Sequence, residues 1–529
     1  MSVAHPIYLD YAATTPVDPL VAQAMSECLG ATGDFANPAS ATHVPGRRAH
    51  ARVERARSQV AELIGAEPAE IIFTSGATES NNLAILGVAR ANADRGRHIV
   101  SSRIEHRAVL DPCQRLEKEG FAVTYLAPDR AGRITPDVLA AALRPDTVLV
   151  SLMQVNNETG VVQDIAAIAG ICRARDIALH TDAAQSAGKL AVDVRALGVD
   201  FLSLTAHKIY GPKGVGALYV RAGSRPRLAP VSFGGGQELG LRPGTLATHQ
   251  IVGFGVASEL ARARMGEGSR VTALRDRLWR GLSELGGAHL NGAEAGRIPD
   301  ILSVSFEGVD GESLITGLTE LALSTGSACN SATGEPSYVL RALGRTSALA
   351  QSTLRFSLGR GTDEADVDVT LRAVGREIRR LRAASPSHFS AMIVPEARFS
   401  REDMPQVELD PLSPCARRLF ETLPGLGALD DGPGVVRGEA GGPSAETWIR
   451  FHLLVTDGTV KDARFQAFGC PHTLAVMAWL TLQLIGRTLA QLAVGEPAAW
   501  ARELSVPVEK LGRLLVVEDA LRACVKHGL

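Results

Sequence analysis

A series of short apolar runs, each closed by a polar residue and a turn, leaves this chain few folds to choose from. The runs lie at 71–73, 99–100, 148–153, 177–179 and 201–204. Short β-branched and aromatic runs bounded by turn residues read as buried strands. The spacers between most of them are long enough for crossover helices, so the sheet is expected to be largely parallel and doubly wound, an α/β fold. In such sheets ligands bind outside the carboxyl ends of the strands. Here those ends deliver Thr78, His106, Asn157, Asp182 and Lys208 to one rim.

Each end offers a different group. FLSLTAHKIYGPKG (201–214) sets Lys208 at a strand exit, where a primary amine can condense with an aldehyde. IIFTSGATESNN (71–82) reads as strand, glycine turn and helix start; the backbone from Ala77 onward and the Thr78 hydroxyl suit an anion. His106 follows the strand 99–102, Asn157 lies in VNNETG (155–160), and Asp182 ends the run IALHTD. Together they answer the needs of pyridoxal 5'-phosphate: a lysine for its aldehyde, an anion site for its phosphate, a carboxylate at its pyridine nitrogen and a flat side chain over its ring. Lys208 takes the first role, Thr78 with Thr205 and His207 the second, Asp182 the third and His106 the fourth. Asn157 and Gln185 are amides suited to the phenolic oxygen of the ring.

Composition narrows the classes that remain. With 529 residues, 45% hydrophobic, the chain can bury more than one core, and two or three domains are expected. A formal net charge of -2 gives no electrostatic case for nucleic acid. No apolar run reaches membrane-spanning length, and residues 1–10 lack the basic start and apolar core of a signal peptide, so a cytoplasmic protein is expected. Seven cysteines without a CxxC pair speak against a disulfide framework or a zinc ribbon, and no metal site is expected.

The motifs SGATESNN (75–82), VNNETG (155–160), HTDAAQS (180–186), TAHKIYGPKG (205–214) and RPGTLATHQIVG (242–253) resemble those of the cysteine desulfurases in the class V aminotransferase group. The resemblance runs from about residue 7 to about residue 380 and implies the dimeric fold of type I pyridoxal-phosphate enzymes. That fold has a large doubly wound domain, expected at about 17–260, and a small α+β domain from 1–16 plus about 261–382. In such dimers the threonine matching Thr245 reaches the phosphate of the neighbouring subunit's cofactor. Cys329, in LSTGSACNSA (323–332), is surrounded by small and polar residues, as suits a nucleophile on a flexible segment. With the following EPSYVLRALG (335–344) it resembles the long-loop, group I desulfurases that hand sulfur directly to scaffold proteins. Arg355 matches the family arginine that grips the substrate carboxylate, a task for a planar fork.

What the resemblance implies is a reaction on L-cysteine. Lys208 holds the cofactor, yields it to the substrate and then moves the α-proton; His106 is a second proton carrier. The Cys329 thiolate attacks the substrate sulfur, leaving a persulfide on the enzyme and L-alanine as product. Selenocysteine lyases and aminotransferases of the same fold are the alternatives, since fold alone does not fix the reaction.

Past residue 382 the composition changes. Residues 383–412 are rich in Ser, Pro and charge and read as a linker. Residues 413–529 form a further unit: a strand over 448–455, a hairpin turn at Asp457-Gly458, a returning strand over 460–468, then helices from Pro471 and along Leu514, Val517, Leu521 and Cys524. This small α+β unit, in DGTVKDARFQAFGCPHTLAV (457–476) and PVEKLGRLLVVEDALRACV (507–525), resembles the scaffold proteins on which iron–sulfur clusters are built. The resemblance is degenerate at the cluster site. Cys470 matches the central cysteine, whereas Ala445 and Thr447 stand in the places of the first cysteine and the aspartate, and Leu511 and Gly512 in those of the histidine and last cysteine. One thiolate does not hold a cluster in the usual way, and His472 adds at most a second ligand. Three roles stay open: a persulfide acceptor on Cys470, a docking or regulatory module for scaffold or other sulfur-acceptor proteins, or a non-catalytic platform. Following Gly469 at a turn, Cys470 is expected to be exposed, which favours the first. Cys28, Cys113, Cys172 and Cys524 read as core, and Cys415 is undetermined.

Overall fold

The computed structural model describes residues 6–325, 336–384, 412–442, 447–492 and 496–528. Its centre is a seven-stranded sheet in the order Ile71–Thr74, Gly216–Val220, Phe201–Thr205, Ala178–Asp182, Thr147–Ser151, His98–Ser102, Ala122–Leu126. The four strands from Phe201–Thr205 to His98–Ser102 pair in parallel, and Ala122–Leu126 joins them in the same sense. Gly216–Val220 runs antiparallel to both of its neighbours. The cause is local: only a 3-10 turn and a short loop separate it from Phe201–Thr205, too little for a crossover helix. That loop turns back through Tyr210 at φ 67° and Gly214 at φ 83°.

Helices cover both faces, which is why these strands are apolar throughout rather than alternating. One face packs on Val53, Ala56 and Val60 of the helix Val44–Leu63 and on Ile251 and Phe254 of Thr248–Ala263. The other packs on Leu83, Ile85 and Val88 of Ala77–Ala91 and on Val109, Cys113 and Leu116 of Arg107–Lys118. Cys28, Cys113, Cys172 and Cys524 are buried and Cys415 is exposed. Burial pushes the thiols of Cys113, Cys172 and Cys524 up to about 12, so they are packing residues.

The second unit is a four-stranded sheet ordered Ser324–Thr325, Thr353–Ser357, Ile301–Phe306, Ala288–Leu290, backed by the helices Gly268–Ser283 and Glu364–Ala384. The chain's first strand, Ile7–Tyr8, pairs with Leu321–Ala322 and so belongs with this unit. It then crosses to the large sheet, where Thr15 grips the lysine turn: its N–H and hydroxyl donate to the His207 carbonyl at 2.9 and 3.0 Å, and its hydroxyl accepts from the Tyr210 N–H at 2.8 Å.

The tail is a three-stranded antiparallel meander, Val435–Gly442, Thr447–Thr456 and Thr459–Phe468, packed by the helices Pro471–Leu484 and Leu511–Gly528. Asp457 and Gly458 both have positive φ, as the expected hairpin turn requires. The strand Val435–Gly442 had no clear signal, because half of VVRGEAGG is glycine or alanine. Tertiary packing explains one of those glycines: a Cβ at Gly438 would collide with the Ala520 carbonyl and the Cys524 backbone of the last helix.

Far from hanging on a tether, the tail is docked on the second unit. Leu314, Val374 and Ile378 of that unit and Phe420, Phe465 and Met477 of the tail belong to one apolar cluster. Polar contacts frame it. Arg380 lies 4.5 Å from the Phe420 ring centroid and donates to the Phe420 carbonyl at 2.7 Å, Ser313 Oγ donates to the Gly469 carbonyl at 2.8 Å, and Lys510 pairs with Glu312 at 2.7 Å.

This docking corrects the expectation for Cys470. The residue is 0% exposed, with its Sγ 3.3 Å from Thr473 Oγ1, and the turn that carries it lies under the helix Gly311–Gly317. A Gly-Cys turn suggests exposure only while nothing packs on it. Arg513 sits against the same thiol, and its guanidinium, though opposed by burial, is pushed up by Cys470 and Asp310. Ala445 and residues 385–411 of the expected linker 383–412 lie outside the described residues, while 383 and 384 close the helix Glu364–Ala384 and Leu412 is buried in the apolar cluster.

Candidate active site

The strand ends meet as their order demands. Lys208 closes a 3-10 turn directly after Phe201–Thr205; Asp182 is the last residue of the neighbouring strand; His106 begins the helix Arg107–Lys118 as its N-cap, with Nδ1 accepting from the Ala108 N–H at 3.1 Å. The three sense one another. Burial and the positive charge of Lys208 hold the His106 imidazole below its usual range, and the carboxylate of Asp182 opposes them. A neutral, flat imidazole beside a lysine suits stacking over a ring.

Asp182 is buried, and its carboxylate is held by neutral donors: Asn81 Nδ2 at 2.7 Å and the Ala184 N–H at 2.8 Å. Asn81 was overlooked in the sequence because it sits one turn inside a helix, on a face that only the sheet reveals as buried. Its Oδ1 is itself buried without a hydrogen-bond partner. Two residues before Asp182, His180 bridges Ser151 at 2.8 Å and Ser203 at 2.9 Å. Burial pulls that imidazole down to about 4, so it is a neutral clasp between three strands.

The helix Ala77–Ala91 starts at Gly76 with no side-chain cap, leaving its first N–H groups open beside the exposed Thr78. A Cβ at Gly76 would meet Thr205 Oγ1 at 3.9 Å, which brings the Thr205 hydroxyl to the same helix end. His207 hydrogen-bonds Thr14 Oγ1 through Nδ1 at 3.2 Å, and burial together with Lys208 and Lys213 lowers it to about 4. Gln185 is already engaged, its Nε2 donating to the Ala12 carbonyl at 2.9 Å and its Oε1 accepting from Lys189 at 3.2 Å. Thr245 stands apart from this group, exposed in the segment before Thr248–Ala263. That segment is tied back to the helix Ala77–Ala91 by Arg242, which pairs with Glu79 at 3.0 Å.

On the wall made by the second unit, Arg355 donates to the Asn157 carbonyl at 2.9 Å and to Asp10 Oδ1 at 2.8 Å, while its Nε is buried without a partner. Asp10 is a residue that sequence reasoning passed over. It aims the guanidinium and occupies one arm of its fork. Cys329 lies outside the described residues, which resume at Pro336.

The Aminotransferase class-V family matches residues 7–370. The chain belongs to that family. Among curated proteins it is 57% identical over 382 residues to the cysteine desulfurase IscS of Aeromonas hydrophila, covering 72% of this chain and 95% of the relative. It is equally 57% identical, over the same coverage, to the cysteine desulfurase IscS of Azotobacter vinelandii. A NifS-like protein of known structure is 36% identical with a TM-score of 0.66, over 71% of this chain and all of that one. The structure described as SspA in complex with cysteine is 41% identical, with a TM-score of 0.59 over 66% of this chain and 98% of that one. The NifU-like N terminal domain family matches residues 424–527. Residues 7–370 of this fusion therefore form a cysteine desulfurase, and its tail is a NifU-like N-terminal domain.

Two further carboxyls of the desulfurase escaped the sequence reading, though each adjoins a residue that it picked out. Glu105 and Glu158 are buried beside His106 and Asn157. Burial pushes Glu105 up to about 8, against the hydrogen bonds it accepts from Ser102 Oγ and the Met153 N–H, with Asp182 adding to the rise. Burial likewise pushes Glu158 up to about 7, opposed by Ser337 and Arg355. For a carboxyl with a raised folded pKa, the folded chain keeps a proton that the unfolded chain has lost. Glu105 therefore costs stability progressively as pH rises from about 4.5 to about 8. Relative to Glu105→Gln, the wild type is expected to lose stability across that window, by a few kcal/mol at about 1.4 kcal/mol per pKa unit. Thermal unfolding of both proteins at a series of pH values checks this; a gap independent of pH would refute it.

Proposed function

We propose that the desulfurase binds pyridoxal 5'-phosphate at this rim and converts L-cysteine to L-alanine with a persulfide on Cys329. The observation that carries the reading is the buried Asp182 carboxylate, held by neutral donors at a strand end beside Lys208 and His106. Such a group calls for a cationic partner, as a protonated pyridine nitrogen would be. The remaining donors fit the same group. The open helix start at Ala77, Thr78, Thr205 and His207 suit the phosphate, Asn157 and the free N–H of Gln185 the phenolic oxygen, and His106 the ring face. When bound, this cofactor supplies an electron sink for a carbanion at the substrate α-carbon.

The chain's own residues do the rest. Arg355, aimed by Asp10, holds the substrate carboxylate, and the amine of Lys208 carries the cofactor at rest and moves the α-proton during turnover. The Cys329 thiolate takes the sulfur: a new S–S bond forms, the C–S bond breaks, and the carbon keeps that electron pair until a proton completes alanine. His106 is placed to carry a proton in this sequence. Absorbance titration with the cofactor tests the site. A visible band that Asp182→Ala loses or shifts supports it, and tight binding unaffected by Asp182→Ala overturns it.

A homodimer suits the exposed surface. Phe233 is 85% and Leu239 65% exposed on the glycine-rich segment that leads to Thr245. A second copy would cover that segment and take Thr245 to its own phosphate site. Among the described residues no helix is long and apolar enough to cross a membrane, and we place the protein in the cytoplasm. The units are 1–382, a linker over 383–412 and 413–529.

For the tail, we propose a docked platform in iron–sulfur cluster assembly rather than a persulfide acceptor. The burial of Cys470, with the helix Gly311–Gly317 over its turn, supports that reading. Scaffold or other sulfur-acceptor proteins are then the recipients of sulfur. Peptide mass spectrometry after L-cysteine, without reductant, is expected to find added sulfur on Cys329 and none on Cys470. Sulfur on both, with the Cys470 signal lost in Cys329→Ser, would restore the acceptor role.

A further inference from the structure

A cavity of about 80 Å³ lies where the lysine turn of the large sheet meets the second unit. Lys208, Ile209 and Tyr210 border it from one unit, and Asp300, Leu358 and Arg360 from the other. Of the rim groups only Lys208 touches it; His106, Asn157, Asp182 and Arg355 do not. A single water needs about 10–15 Å³ of such space, so this one suits a small solute.

Two buried charges line it with their hydrogen bonding incomplete. Asp300 is 7% exposed; its Oδ2 accepts from Lys189 Nζ at 2.7 Å, and its Oδ1 is buried without a partner. Arg360 lies over Tyr210, its Cζ 4.1 Å from the ring centroid, and its Nη1 is buried without a hydrogen bond. The carboxylates around it are too distant to supply one: Asp18 stands 3.6 Å from Nη1 and Glu267 3.9 Å from Nε. A guanidinium does not shed its proton, and a buried polar atom without a partner is costly, so both groups call for one. They stand on neighbouring strand ends, since the Leu358 N–H donates to the Asp300 carbonyl at 2.8 Å, yet no ion pair joins Asp300 to Arg360.

The charge of the ligand follows from that pairing. A simple anion would satisfy Arg360 and be repelled by Asp300, and a metal ion would do the reverse. A molecule that carries both signs completes both, with an ammonium on Asp300 Oδ1 and a carboxylate on Arg360 Nη1. Ile209, Val271 and Leu358 add an apolar wall for a short side chain. Arg264 and Glu267, whose side chains are more exposed than those of Asp300 and Arg360, open the cavity to solvent.

We propose that this cavity is a second amino-acid site, which takes a small zwitterionic amino acid by its ammonium on Asp300 and its carboxylate on Arg360. Calling it second rests on the reading of Arg355 as the anchor of the substrate; the chemistry of the cavity does not. The substrate L-cysteine and the product L-alanine share the chemistry required, and the apolar wall favours the methyl group of L-alanine.

Equilibrium dialysis of the holoenzyme with labelled L-alanine tests the site. Wild type is expected to bind two molecules per chain and Arg355→Ala one. In Arg360→Gln and Asp300→Asn the cavity molecule should be lost or bound at least about tenfold more weakly, because each variant removes a charged partner. Arg360→Gln keeps the fold, since the main chain of that residue makes the contacts to Tyr210 OH and Arg270. Acetate, inorganic phosphate and methylammonium carry one sign each and should displace L-alanine from Arg355→Ala at least about tenfold less well; equal displacement by any of them would overturn the zwitterion. L-Serine stands in for L-cysteine without its sulfur, and tighter binding of L-serine than of L-alanine there would make the substrate the occupant in place of the product. A single molecule in wild type that Arg355→Ala abolishes and Arg360→Gln leaves intact would overturn the cavity site. A single molecule that Arg360→Gln abolishes and Arg355→Ala leaves intact would uphold it and overturn the reading of Arg355 instead.

Discussion

Lys208→Ala is expected to abolish L-alanine formation, with a loss of at least about 10⁴-fold, because two functions go with one amine. The amine carries the cofactor covalently, and it moves the α-proton. Neither neighbour replaces it. Burial, the larger cause, keeps the His106 imidazole low even without the Lys208 charge, and Asp182 is committed to Asn81 and Ala184. The fold should survive, because the turn is held by backbone groups: the His207 carbonyl accepts from Thr15, and Tyr210 N–H donates to it. Borohydride reduction followed by peptide mass spectrometry reads the first function and product assay the second. A variant that keeps activity within tenfold of wild type would mean that another group carries the cofactor.

Cys329→Ser is expected to separate the two halves of the reaction. The variant should bind the cofactor with the wild-type absorbance band and still respond to L-cysteine, yet release sulfur at least about 10³-fold more slowly, a barrier rise of about 4 kcal/mol. The reason is chemical. A thiolate is a good nucleophile toward sulfur and its product is a stable persulfide, whereas a serine hydroxyl is neither ionised nor able to store sulfur. An aminotransferase would not need the thiol, so full turnover in the variant would move this chain to another reaction of its family. Comparing L-cysteine with selenocysteine as substrates distinguishes a selenocysteine lyase.

The strand-end residues were legible because a parallel sheet converts sequence order into spatial order. Once 71–74, 98–102, 147–151, 178–182 and 201–205 are strands of one sheet, Thr78, His106, Asn157, Asp182 and Lys208 share an edge whatever fills the loops. Asn81, Glu105, Glu158 and Asp10 were not legible, although each stands beside or inside a motif that was read. Their importance lies in burial and in partners 48 to 345 positions away, as with Glu105 and Met153 or Asp10 and Arg355. No local pattern encodes such a pairing.

Cys470 shows the same limit from the other side. Its turn, its helix and the loss of its companion ligands were all written in the tail's sequence, and exposure was the natural inference. The docked surface reversed it, since Ser313, Glu312 and Arg380 meet groups that belong to another unit of the chain. The amino-acid sequence by itself determined the strands that carry the rim and their order, the chemistry of the rim and the degeneracy of the cluster site, because period, turn residues and residue type act locally. Only the tertiary structure decided which polar groups are buried, which carboxyls hold protons near neutral pH and which cysteine is closed to solvent, because those properties depend on what packs against them.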